Sequence, residues 1–238
     1  MRIQRALARS GITSRRRAED LVAAGRVSVN GAVASIGQIV DIASDKITLD
    51  GKRVQPPADA QWIMLNKPAG VMTTRADPSG RRTVFDLVHD VPGLTYVGRL
   101  DYLTEGLLLL TTDGTAAHLL THPSRQVERS YVATVKGDAP GAARALLEGA
   151  DLEDGPVIAR HASAESLGGG RWSLTLTLAE GRNREVRRAC QSLGLSVERL
   201  IRTRFGPIVL GGLGTGDTRR LTSREERAIA ALVGAQDR

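Results

Sequence analysis

The sequence predicts an α+β protein in two parts: a small basic N-terminal domain at 1–55, a linker at 56–61, and a larger domain at 62–238 on a mainly antiparallel mixed sheet with flanking helices. Three observations carry this expectation. Two short alternating runs end in Asn30-Gly31 and Asp50-Gly51, dipeptides that favour two-residue hairpins because both positions accept positive φ. Gln55-Pro56-Pro57-Ala58-Asp59 then interrupts regular structure. Beyond it, strand-like and helix-like runs alternate without a βαβ rhythm, and strand pairs meet at glycine loops such as Gly168-Gly169-Gly170, as antiparallel neighbours do.

Taken in order, residues 1–11 read as a short helix with Ile3, Ala6 and Leu7 on its apolar stripe and Gly11 at its stop. Thr13 or Ser14 caps a second helix that buries Ala18, Leu21 and Val22 and ends at Gly25. Arg15, Arg16 and Arg17 occupy its first turn, where the helix dipole disfavours cations, so an external anion is the natural complement. The hairpins around 27–33 and 47–53 follow. In the larger domain the expected strands are 62–66, 106–112, 129–136, 157–164, 172–179 and 195–205, and the expected helices 115–121, 140–148, 184–193 and 223–234.

Composition narrows the function classes. At 238 residues, 41% hydrophobic and 25% charged, this is ordinary globular material. No run approaches the ~20 apolar residues of a membrane span, and Met1-Arg2-Ile3-Gln4 does not open a signal peptide, so no membrane partner and a cytoplasmic location are expected. A single cysteine, Cys190, rules out an intrachain disulfide and a cysteine-rich zinc site. The net charge is +7, and +5 of it sits in residues 1–55. A basic head on a nearly neutral body suits a nucleic-acid grip attached to an enzyme.

The run from Arg2 to Gly31 carries more than charge. A helix, Gly11, Thr13-Ser14-Arg15-Arg16, a second helix, Gly25-Arg26-Val27 and Val29-Asn30-Gly31 together resemble the RNA-binding module named after ribosomal protein S-four. The resemblance implies that Arg2, Arg5, Arg9, Arg15, Arg16 and Arg17 face the phosphates of structured RNA, contacts that position more than they specify.

Gly98-Arg99-Leu100-Asp101-Tyr102-Leu103-Thr104-Glu105-Gly106, followed by Leu107 to Leu110 and then Thr111-Thr112-Asp113-Gly114, is the most informative stretch. It sets an acid in a turn before a continuous apolar strand, with an arginine two residues earlier, which is a plausible catalytic placement. The stretch resembles the motif of ribosomal RNA pseudouridine synthases, in the branch of RsuA, RluB, RluE and RluF. The resemblance implies that Asp101 is the catalytic carboxylate, with Arg99 in the same motif. Arg129-Ser130-Tyr131 resembles the strand whose tyrosine, Tyr131, stacks on the target base. Glu180 to Arg188 resembles a third motif, in which Arg182 would pair with the catalytic carboxylate and Val186 would line the base pocket. Glu185 stands where that motif usually has glutamine. Gly181-Arg182-Asn183-Arg184 is similar to the large-subunit group that contains RluB.

Val186, Ala189, Cys190 and Leu193 form the buried stripe of the helix that follows, which turns Arg184, Arg187 and Arg188 outward. With Arg199, Arg202 and Arg204 they suggest a second RNA-facing surface. Asn66-Lys67-Pro68-Ala69-Gly70-Val71 reads as architectural, Gly211 to Gly216 as a flexible loop, and His118 with His122 as surface or capping residues rather than zinc ligands. The expected partner is ribosomal RNA or a pre-ribosomal particle, with no metal, no small-molecule cofactor and a monomeric chain. Three alternatives stay open: action on small-subunit rRNA, a catalytically silent RNA-binding assembly factor, and a hydrolase that cleaves the glycosidic bond, for which a second flanking carboxylate would be needed.

Overall fold

In the computed structural model, which describes residues 1–55 and 59–234, the chain divides into two compact units. One comprises Met1–Trp62 with Asp90–Thr95 and Leu110–Thr115; the other comprises Ile63–His89, Tyr96–Leu109 and Ala116–Arg238. Residues 90–95 and 110–115, which the sequence assigns to the larger domain, thus group with the first unit. Of the expected linker, 56–58 lies outside the described residues.

The first unit opens with α1 (Ile3–Arg9) and α2 (Arg15–Ala23). The Ser14 hydroxyl accepts the Arg17 amide and caps α2 as its sequence demands. Then come β1 (Val27–Val29), β2 (Ala32–Val33), β3 (Ile47–Leu49) and β4 (Lys52–Arg53), in the sheet order β2-β1-β3-β4. Both hairpin turns have two positive φ angles, 53° and 89° at Asn30-Gly31 and 49° and 78° at Asp50-Gly51, the geometry that matches strand twist. Ile3, Leu7, Ala18, Val22, Val27 and Ile47 form the core between helices and sheet.

The elements that follow, lying mostly in the second unit, are β5 (Trp62–Lys67), β6 (Thr95–Val97), β7 (Thr104–Thr111), α3 (Gly114–Thr121), β8 (Arg129–Lys136), α4 (Ala139–Glu148), β9 (His161–Gly168), β10 (Arg171–Leu178), α5 (Glu185–Ser192), β11 (Ser196–Phe205), β12 (Ile208–Val209), β13 (Thr218–Arg220) and α6 (Ser223–Gly234). Its sheet runs β13-β5-β7-β11-β8-β10-β9, with β12 on β11 and β6 on β7. The β7–β11 pair is parallel, whereas β13–β5, β11–β8, β10–β8 and β10–β9 are antiparallel, as the expected mixed sheet requires. Leu107 to Leu110 are buried without alternation because β7 is an interior strand. Helices α4 and α5 pack Ala142, Leu146, Val186, Ala189 and Cys190 against Ala133, Val135, Leu174 and Leu176 of the strands.

Most expected elements recur within a few residues; β9 does not. It begins at His161 rather than 157, since Val157 bridges to Ala150 and the Ala159 amide bonds the Leu146 carbonyl at the end of α4. The apolar alternation there serves packing, while pairing with β10 starts only at the register set by the glycine turn. Strands β6, β12 and β13 lie outside the expected set; at two or three residues each they are too short for a period to register. Gly211–Gly216 is a loop, as expected, and is tied to β5: Asn66 donates its side-chain amide to the Leu213 carbonyl (2.7 Å) and its own carbonyl accepts the Gly216 amide (2.8 Å). No helix of the described residues is long and apolar enough to cross a membrane.

Candidate active site

Asp101 lies in the turn between β6 and β7, and donors from residues 67–73 and from α5 hold that turn. The Thr104 amide closes it onto the Asp101 carbonyl (3.0 Å). The Thr73 hydroxyl donates to the Leu100 carbonyl (2.8 Å), and the Gly70 amide to the Tyr102 carbonyl (2.8 Å). The fully buried Lys67 sends its ammonium to the carbonyls of Thr104 (2.8 Å), Pro68 (2.9 Å) and Tyr102 (3.4 Å). Arg187 donates to the Leu103 carbonyl at 3.0 Å. Gly106 allows the next strand to close: at φ 101° it sits opposite Arg202 in the parallel pair, where a Cβ would overlap the Arg202 backbone. The architectural reading of Asn66 to Val71 holds, and its main device is a lysine that the sequence alone marks only as a charge within an apolar strand.

This turn forms one wall of a recess of about 260 Å³, below the ~300–1,000 Å³ of drug-sized sites and on the scale of a single nucleoside. Strand β8 contributes Arg129 and Tyr131, the 181–184 turn and the start of α5 contribute Arg182, Arg184, Val186 and Arg187, and β11 contributes Leu200 and Arg202. Of the residues singled out from sequence, Arg99, Asp101, Tyr131, Arg182, Arg184, Val186 and Arg187 therefore share one cavity. Asp101 and Tyr131 are half-buried, Val186 is buried, and Arg99 and Arg184 are exposed.

The arginines divide differently from expectation. Arg182 does not pair with Asp101: its guanidinium is taken by Glu185 (Nε to Oε1, 3.1 Å), Glu180 (2.8 Å), Asp154 (3.2 Å) and the Gly155 carbonyl (2.8 Å). Glu185, almost fully buried, also accepts the Gly181 and Arg182 amides, so it is the acid that shapes this turn. The positive charge that senses Asp101 belongs to Arg187 and Lys67. Burial lowers the Arg187 pKa, helped by Arg184 and opposed by Asp101. Burial likewise pushes Lys67 down to about 8, against the pull of Asp101 and Glu105. Arg187 thus turns inward instead of outward, and Arg188 is held by both Asp154 carboxylate oxygens (2.9 and 2.8 Å), which leaves less of it for RNA.

Of the expected RNA-facing arginines on β11, Arg202 is corrected too. Strand β11 alternates, so Arg202 points inward, 2% exposed, with Nε on the Leu107 carbonyl (2.8 Å). Arg129 is also buried, donating to the Glu180 carbonyl (2.8 Å), and both guanidinium groups lie over the Phe205 ring at 5.3 and 5.2 Å. Burial lowers the pKa of each, and Tyr131 opposes it. Arg199 reaches the surface and pairs with Glu105 (2.8 Å). Cys190 is buried and its thiol is pushed up to about 11 by desolvation, which makes it a packing residue. His122 Nδ1 bonds the Ser124 hydroxyl (2.8 Å), and His118 meets it ring edge to face. Among the described residues no group of three or more His, Cys, Asp or Glu is placed to hold a metal ion.

In the first unit, Arg2, Arg15, Arg16 and Arg17 are exposed and Arg5 and Arg9 half-buried. Among the described residues none of the six is ion-paired within the chain.

The chain is also similar to known proteins. The RNA pseudouridylate synthase family matches residues 61–192, and the S4 domain matches residues 1–47. The ribosomal large subunit pseudouridine synthase B of Bacillus subtilis is 40% identical over 236 residues, covering 98% of this chain and 96% of its own. The protein of the same name in Haemophilus influenzae is 43% identical over 245 residues, 98% of this chain and 68% of its own. An RNA pseudouridine synthase of Mycobacterium tuberculosis is 41% identical over 240 residues, 98% and 94% of the two chains. Among solved structures, a pseudouridylate synthase crystal structure superposes with a TM-score of 0.66 at 30% identity, covering 96% of this chain and 99% of the other.

Proposed function

We propose that this chain, which belongs to the RNA pseudouridylate synthase family and carries an S4 domain, isomerises a uridine of large-subunit ribosomal RNA with Asp101 as its catalytic carboxylate. The observation that carries the reading is the fixed turn of Asp101 at the wall of a nucleoside-sized recess that Tyr131 and Val186 also line. The reaction breaks the bond between ribose C1′ and uracil N1, turns the base, and joins C1′ to C5. The C5 proton is lost and N1 gains one, so the product has the mass of the substrate.

Each side chain then has a task. Asp101 faces the sugar and base at the reacting bond. Tyr131 and Val186 hold a uridine extruded from its helix, offsetting the cost of unstacking. Arg187 and Lys67 balance the carboxylate charge, and the Glu185–Arg182 pair keeps the 181–184 turn in shape. Arg99 and Arg184, both exposed at the rim, suit the flanking phosphates. The relatives named for the large ribosomal subunit, together with Gly181-Arg182-Asn183-Arg184, support large-subunit rRNA over other RNAs.

The test is single-turnover reaction of wild type and Asp101→Asn with unmodified transcripts of both rRNAs and with bulk tRNA, pseudouridines being mapped by carbodiimide. Wild type should modify large-subunit rRNA, and the variant should form no product while binding RNA within a few-fold of wild type. Turnover by Asp101→Asn would refute the catalytic role; product confined to small-subunit rRNA or tRNA would refute the substrate.

A further inference from the structure

The turn that carries Asp101 breaks a rule of local structure. Closed by the Thr104 amide on the Asp101 carbonyl, it is a β-turn whose two central residues are Tyr102 and Leu103. Such positions are usually filled by glycine, proline, asparagine, aspartate or serine. Here they present an aromatic ring 42% exposed and a leucine 58% exposed, side by side next to the proposed catalytic acid. Conflicts between local preference and structure collect at functional sites.

This apolar pair is also held still. The Tyr102 carbonyl is bonded by Gly70 and Lys67, and the Leu103 carbonyl by Arg187, so the backbone is fixed without help from either side chain. Cations border it. Arg81 sits 5.9 Å from the Tyr102 ring centroid, aligned by a two-pronged pair with Asp77 (Nε to Oδ2 3.0 Å, Nη2 to Oδ1 2.7 Å). Arg99 and Arg184 are exposed in the recess that Asp101, the residue before Tyr102, lines. An exposed aromatic ring and an exposed leucine in one turn, with a guanidinium over the ring and two more at the neighbouring recess, are the chemistry that receives an RNA base and its phosphates.

We propose that the Tyr102–Leu103 turn is a stacking platform for the nucleotide adjacent to the isomerised uridine. It rests on the reading that a uridine is extruded from RNA beside Asp101. Extrusion strips a stacking partner from the neighbouring base, and Tyr102 with Leu103 replaces that surface while Arg81 and Arg99 hold the strand. The platform positions substrate; it takes no part in bond making.

The test uses the full chain and unmodified large-subunit rRNA transcript, with RNA affinity and single-turnover pseudouridine formation measured for wild type, Tyr102→Ala, Tyr102→Phe and Leu103→Ala. Tyr102→Ala should weaken binding roughly 5- to 150-fold, the worth of one base–aromatic stack. Its log–log salt slope should stay unchanged, because the same phosphates remain neutralised. Tyr102→Phe should restore affinity, since the ring rather than the hydroxyl does the stacking, and Leu103→Ala should show a smaller loss. Wild-type affinity in Tyr102→Ala overturns the platform. So does a lower maximal rate at unchanged affinity, which would mean a role in the shape of the turn alone. A shift in sedimentation on Tyr102→Ala without RNA would assign the patch to self-association and overturn it as well. Affinity judges the platform whether or not product forms, whereas absence of product with wild type counts against the isomerase reading alone.

Discussion

At the scale of single residues, Lys67 shows how a charge can be both buried and useful. Its ammonium supplies donors to three carbonyls around the Asp101 turn, yet burial holds its pKa near 8 instead of 10.5. A base whose folded pKa is depressed binds fewer protons folded than unfolded between those values, so stability must rise with pH from 8 to 10.5. Lys67→Met removes the titrating group, and the stability difference between wild type and variant should move in wild type's favour across that window, by about 3 kcal/mol at most. Denaturant midpoints measured at several pH values decide it; a pH-independent difference would show that Lys67 titrates normally. The arginines make the complementary point. Arg182 and Arg187 are five residues apart and alike in sequence, but Asp154 and Glu185 claim the first and leave the second beside Asp101.

Among the secondary-structure elements, the parallel β7–β11 pairing does most to place the site, because it sets the strand after Asp101 against the strand that carries Arg202. Gly106 is the condition for that pairing. Gly106→Ala meets both a positive φ and the Arg202 backbone, and should destabilise the fold by about 2 kcal/mol or more with loss of activity. Gly114→Ala is the control: Gly114 opens α3, has no unusual φ, and has open space where a Cβ would stand. That change should leave stability equal or raise it by ~0.4–1 kcal/mol. Thermal unfolding of the two variants side by side reads the contrast, and equal midpoints would refute the close-approach argument.

For the molecule as a whole, charge is distributed by task. The first 55 residues hold most of the net positive charge, with Arg15, Arg16 and Arg17 exposed in the first turn of α2 and no acid beside them in that turn. Replacing all three by glutamine should lower RNA affinity and reduce the log–log salt slope by roughly 0.7–0.9 for each phosphate that is no longer neutralised. Filter binding across a salt series measures it; an unaltered slope would mean that this face of the S4 domain does not touch RNA.

The sequence by itself determined the small domain almost residue by residue, because caps, hairpin dipeptides and short helices are local decisions: Ser14, Asn30-Gly31 and Asp50-Gly51 do the same work in the structure that they announce in the chain. It also determined which motifs converge on the recess, from Arg99 and Asp101 to Tyr131 and Val186. Only the tertiary structure decided what each charged group faces. Arg182 meets Asp154 from 28 residues away, Lys67 reaches the turn at 102–104, and Arg202 turns inward on β11 beside Arg129. Spacing along a chain fixes which face of a helix or strand a side chain takes, but a guanidinium or ammonium is satisfied by whatever carboxylate or carbonyl packing brings near. That choice is made between segments far apart in sequence, where no local period records it.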